Sequence, residues 1–249
     1  MFLNMLSVSR LPFDFSSIRA RDFRAIWGKL PVYSFGVLIA LDLLFVLLHV
    51  FVVANEKRLF YLDFPISTEV RDFLSLTRDQ SLSEYWEYSK SVVTAALYLM
   101  VYAVSRHLVF AVFSMLFLFI ALDNGFSIHE NAFAFIGGPV AGDLLSFIVI
   151  GGVFALALYA SWPRRNILAK HGAKGALSTA AILAAFAVIV DALSGIVGKV
   201  VPKTYALFGL VEDGGELVAL SLALSYALAL FLICRTRDPQ YFRSRAKGE

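Results

Sequence analysis

Apolar residues in this chain recur in long runs. Six stretches, at about 33 to 54, 91 to 106, 108 to 123, 143 to 162, 176 to 198 and 207 to 233, carry few polar side chains. Crossing the hydrocarbon of a bilayer takes roughly 20 residues of helix, so the pattern predicts an all-α polytopic bundle of about six transmembrane helices. The second and third stretches belong to one apolar run, 91 to 122, broken only by Ser105-Arg106-His107. A single helix of that length would overshoot the bilayer, which places a tight turn at the break. Ser81 and Glu84 have the spacing of a capping box, and Tyr85, Trp86 and Tyr88 follow as an interfacial aromatic belt. The second helix is therefore expected to begin outside the hydrocarbon.

The polar segments divide the chain into a basic amphipathic segment, residues 1 to 30, a transmembrane domain, 31 to 234, and a basic tail, 235 to 249. In the first segment Phe23, Ile26, Trp27 and Leu30 fall at helical spacing with Arg19, Arg21 and Arg24 off that stripe, as in a helix lying on a membrane surface. No cleavable signal peptide is expected, because Asn4, Arg10, Pro12 and Asp14 interrupt the start. Alternate connections place fifteen of the 22 Lys and Arg residues on one side of the membrane and seven on the other. Basic loops favour the cytoplasm, so both termini are expected inside and the loop at 55 to 90 outside. That loop is long enough for a short surface helix or lid.

Composition agrees with this class. The 249 residues are 59% hydrophobic and 16% charged, with 23 Phe and a mean hydropathy of +0.74, unlike a water-soluble domain. The net charge of +3 fits basic loops, and no nucleic-acid partner is expected. Cys234 is the single cysteine, which excludes an internal disulfide and any cysteine-built metal centre.

Against this background the acids stand out. Asp123, His129 and Glu130 lie at and beyond the outer end of the third span, Glu212, Asp213 and Glu216 open the sixth, Asp191 lies in the outer third of the fifth, and His49 lies near the outer end of the first. Ionisable groups at membrane depth mark functional sites by default. Asp123 and Glu130 share a face if the helix continues through Asn124-Gly125, Glu212 and Glu216 are an i, i+4 pair, and Asp42 and His49 share a face of the first span. Below Asp191 lie Ala187, Ala184 and Ala180, and below Glu216 lie Ala219 and Ala223. Such small-residue stripes allow close helix packing and turn the acids inward.

Three readings compete for this cluster. In the first, Asp123, His129, Glu130, Glu212 and Glu216, with His49 as an outlying candidate, bind a divalent metal (iron, manganese or zinc), and Asp191 acts as general base or supporting residue. In the second, Asp42 and Asp191 are steps of a proton or cation relay. In the third the acids are structural, serving helix ends and lysine partners. A two-haem core is disfavoured, since His107 adjoins a turn and His171 falls in the basic loop Lys170-His171-Gly172. Motifs of serine hydrolases, phosphate-binding loops and zinc proteases are absent. An accessory subunit packed against a larger membrane assembly is the alternative from another functional class.

The stretches Leu76 to Trp86 and Leu122-Asp123 to His129-Glu130, with the acidic opening Glu212 to Glu216, resemble a loose group of uncharacterised bacterial multi-span proteins with a Leu-Asp-Glu…His-Glu motif. Asn124 stands here where that motif has its second acid. The resemblance implies an inner-membrane protein with six spans and supplies no activity.

Overall fold

In a computed structural model of the chain, the residues described are 32–56, 66–78, 80–128, 139–164, 166–190, 193, 197 and 205–236. They form seven α-helices: α1 (Val32–Glu56), α2 (Thr68–Leu74), α3 (Leu82–Ser105), α4 (Leu108–Phe126), α5 (Pro139–Ser161), α6 (Ile167–Ala184) and α7 (Tyr205–Thr236). A π-helical segment, Ala185–Val190, continues α6. No strand occurs among the described residues. The amphipathic segment 1 to 30 and the tail beyond Thr236 lie outside them.

Among the described residues, four helices are long and apolar enough to cross a membrane: Val32–Glu56, Leu108–Phe126, Ala169–Val190 and Leu207–Arg235. The chain thus has the helices of a multi-pass membrane protein. Of the other two stretches read as spans, α3 carries Glu84, Glu87 and Lys90 in its first three turns, and the apolar part of α5 is the shorter Leu145–Ser161.

The helix ends follow local chemistry. At the start of α3 the Ser81 hydroxyl accepts from the Glu84 amide at 3.4 Å, and the Glu84 carboxylate accepts from the Gln80 amide, one residue before the cap. The turn expected at 105 to 107 is tight: α3 ends at Ser105, Arg106 adopts a left-handed φ of 58°, and α4 starts at Leu108. In the loop between α1 and α3, Ser67 caps α2. Glu69 is held below the usual carboxylate range by hydrogen bonds from its own amide and from Ser67.

One expectation is overturned. The segment Lys170-His171-Gly172, read as a loop, belongs to α6, which begins nine residues before the expected span start at 176. Asn166 caps the helix by accepting from the Ala169 amide at 2.9 Å. Gly172 and Gly175 act here as contact points: Gly172 faces Leu230 and Phe110, and Tyr226 lies so close to Gly175 that a β-carbon would collide with its ring.

The central helix is α7, which packs against α1, α3, α6 and the π segment. Between the antiparallel α3 and α4, Tyr98 is enclosed by Phe110, Phe113 and Phe117 at ring separations of 5.5 to 6.5 Å. Ala219, Ala223, Tyr226 and Leu230 of α7 complete the core. Among the described residues α5 packs mainly on α4 and has no extensive contact along α6, although only residues 162–166 connect the two.

Candidate functional site

Two polar regions lie inside this bundle, and α3 contributes to both. Its polar residues Ser83, Glu87, Lys90, Thr94 and Tyr98 recur every three to four positions, with Ser91 beside Lys90, and all are buried. That stripe runs from the cavity at Glu87, past Asp42 and α7 at Lys90, to the aromatic cluster of α4 at Tyr98.

The first region is an ion pair. The Lys90 ammonium lies 2.9 Å from the Asp42 carboxylate, with side chains 0% and 1% exposed. Lys90 also donates to the Leu217 carbonyl at 2.6 Å and to Ser221 Oγ at 3.2 Å. Asp42 accepts from Ser221 Oγ at 2.6 Å and from Trp86 Nε1 at 3.1 Å. The ammonium therefore uses all three of its donors, and both carboxylate oxygens are occupied. Helices α1, α3 and α7 are fastened at one point.

The second region is a cavity of about 1170 Å³ bounded by α3, α4, α5, α6 with its π segment, α7 and the loop at 76 to 78. Glu84, Glu87, Asp123, Glu212, Asp213 and Glu216 reach it, against one cation among the described lining residues, Arg78. Arg78 already faces Asp72 at 3.9 Å. Glu87 lies deepest in its environment, 7% exposed. Its electrostatic neighbours are the carboxylates of Glu216, Asp213 and Glu84 and the ammonium of Lys90. No described residue donates a hydrogen bond to it or closes an ion pair with it.

Local structure explains how the acids converge. Asp123 ends α4 beside the start of α3, where Tyr88 donates to the Asn124 carbonyl at 2.9 Å and lies against Gly125. Glu212 and Glu216 are one turn apart on α7. Between them Gly215 seats the Phe186 ring so closely that no β-carbon would fit. Phe186 belongs to the π segment, whose wider turn shifts the register of α6; such bulges recur at functional sites. Ala180, Ala184 and Ala187 form one wall of the cavity. That alanine stripe leaves space beside α6, whereas Ala219 and Ala223 are packed into the core.

Of the residues singled out in the sequence, Asp123, Glu212 and Glu216 are brought to one cavity. His49 is elsewhere: its Nδ1 accepts from the Leu76 amide at 3.1 Å and lies 3.4 Å from Ser75 Oγ, tying the loop after α2 to α1. Asp42 shares the buried face of α1 with His49 but has Lys90 as its partner. His129, Glu130 and Asp191 lie outside the described residues. Helix α4 passes through Asn124-Gly125 and ends at Phe126, with Ser127 left-handed at φ 45°, so the register carrying Asp123 toward Glu130 is interrupted. Among the described residues no three His, Cys, Asp or Glu side chains converge as ligands for one metal ion. Glu87 and Asp213 were not picked as site residues from the sequence, and Glu84 was read only as a cap. The polar stripe on α3 is the signal that points to Glu87.

Crowded carboxylates cannot all stay ionised in a confined site without cations, and burial sharpens the requirement. The arrangement suits uptake of protons, a metal ion or an organic cation. Residues that could contribute oxygen ligands to a metal are Asp123, Glu212 and Glu216, with Glu87 beside them.

No curated protein and no solved structure matches the chain. Residues 37–230 match the family described as Domain of unknown function (DUF8692), a segment that contains the ion pair and every described wall of the cavity; the chain belongs to that family.

Proposed function

We propose that this protein is a multi-pass membrane protein whose acid-lined cavity binds a cation. The observation that carries the reading is Glu87, a buried carboxylate that faces the cavity among three further acids and takes no hydrogen bond from a described residue. Leaving such a group without a partner costs free energy, and a bound cation removes the cost. A proton is the smallest such cation. Iron, manganese and zinc remain candidates, with Asp123, Glu212 and Glu216 as ligands and His129, Glu130 and Asp191 as the sequence-based complement.

The full topology belongs to the same proposal: six spans in a bacterial inner membrane, with the acidic end outward. Support comes from the opposite end of the bundle, where the described charged residues Arg106, Arg164, Lys170, Lys174 and Arg235 are all basic.

The test is equilibrium binding to protein purified in neutral detergent, with manganese, zinc and ammonium as separate probes. One cation per chain is expected, and Glu87→Gln and Glu216→Gln should each weaken it about tenfold or more, the scale of a lost charge-assisted contact. Wild-type protein that binds none of the probes and takes up no protons between neutral and acid pH would overturn the reading.

A further inference from the structure

The acids occupy only part of the cavity. Away from them the walls are apolar: Leu116 and Phe119 on α4, Phe154 and Leu158 on α5, Leu177 and Leu183 on α6. From Ser127, the C-cap of α4, to Leu116 the cavity follows eleven residue steps, and from Val188 to Leu177 it follows eleven steps of α6 and its continuation. At 1.5 Å per residue each wall runs about 16 Å along the bundle axis. The volume of about 1170 Å³ exceeds the roughly 300 to 1,000 Å³ of an ordinary small-molecule pocket. A metal ion or a proton would satisfy the acidic end and leave the apolar length empty, with the loss of contacts that a void imposes on its lining.

The sequence keeps this space open. Gly151 and the alanines at 155, 180, 181, 184 and 187 line it, and a β-carbon added at Gly151 would meet no atom within 4 Å. Larger residues at these positions would let α5 and α6 close on each other; as built, they stand apart.

Resting on the cation-binding reading above, we propose that the cavity takes a long-chain amphiphile with a primary ammonium head, the head among Glu87, Glu216 and Asp213 and the alkyl chain along the channel between α5 and α6. Charge complementarity selects the head. Because Glu87 lacks a hydrogen-bond donor, an N–H-bearing ammonium matches it better than a quaternary one, which has no proton to give. The apolar length selects the tail. An amphiphile also reaches the site without crossing water, by moving from the bilayer along the seam where α5 and α6 do not pack.

Native mass spectrometry of the full chain in a neutral maltoside detergent reads this directly. The probes are dodecylammonium, its head alone (methylammonium), its uncharged analogue (dodecanol) and dodecyltrimethylammonium. One dodecylammonium per chain is expected, held at least about tenfold more tightly than any other probe. Glu87→Gln should erase the advantage over dodecanol. Gly151→Leu, which fills the channel where the structure has open space, should erase the advantage over methylammonium; Ala184→Phe serves the same purpose if Gly151→Leu does not fold. If methylammonium binds as well as dodecylammonium and neither channel variant matters, the amphiphile is overturned while the cation site stands. Equal binding of dodecanol and dodecylammonium, unchanged by Glu87→Gln, overturns the amphiphile and denies the acids a role. If no probe binds, the amphiphile falls, and the metal and proton measurements decide the wider reading on their own.

Discussion

One helical turn on α3 separates Lys90 from Glu87, and the acids these two residues deal with are treated in opposite ways. Asp42 has an ammonium, a hydroxyl and an indole N–H around it. Glu87 has three carboxylates and the Lys90 ammonium for neighbours and, among the described residues, no hydrogen-bond donor. A fully partnered charge fixes three helices in one register. An unpartnered one is, on the proposed reading, the place of a bound cation. Burial alone does not separate structural from functional acids in a membrane bundle; the count of partners does.

The largest expected effect tests the structural half of this contrast. Lys90→Met strands Asp42 as a lone buried charge and should cost about 3–5 kcal/mol in reversible unfolding. Lys90→Met with Asp42→Leu should recover most of that loss, because no charge is then left behind. A single variant as stable as wild type would show that the pair fastens nothing. Next in size, Gly215→Ala should cost about 1–3 kcal/mol by forcing Phe186 out of its seat, and Phe186→Ala should relieve it. If it does not, the approach of the π segment to Glu212 and Glu216 is not set by that contact. Glu87→Gln belongs to the other half and should leave stability within about 1 kcal/mol of wild type, or raise it, while weakening cation binding. A loss like that of Lys90→Met would dissolve the contrast.

The smallest effect is a control on pH. His107, at the far turn, is held below its usual range by burial. Its folded state disfavours the imidazolium, so its contribution to stability is complete above pH 6.5 and declines as pH falls below that value. His107→Gln should remove that component from a stability titration. The remaining pH dependence then reports on the acids, and a titration unchanged by the substitution would return His107 to the background.

Much of the architecture was legible because its signals are local. The break at Ser105-Arg106-His107 and the cap at Ser81 each lie within a few residues, and both mark helix ends in the structure. The loop expected at 170 to 172 failed because Lys170, His171 and Lys174 interrupt the apolar pattern, whereas the helix there is held by Gly172 and Gly175 against Leu230 and Tyr226, more than fifty residues away. Lys90 was counted among the bases on the outer side. Nothing near it in sequence reveals Asp42, 48 residues earlier, or Ser221, 131 residues later. Asp123, Glu212 and Glu216 were singled out by the rarity of acid beside apolar runs, and they do share a cavity. What acid rarity could not supply was the alanine wall, since the stripe that suggested a helix seam borders empty space.

The single left-handed residue at Arg106 bears on how the chain is assembled. With only Arg106 and His107 between them, α3 and α4 form one hairpin, so under the six-span proposal the polar first turns of α3 enter the bilayer together with the apolar α4. In that hairpin Lys90 meets Asp42, which belongs to a helix made earlier in the chain. Ser221 and the Leu217 carbonyl come only with α7. Because its partners come from three helices far apart in the chain, the fastener is complete only once α1, α3 and α7 are all in place.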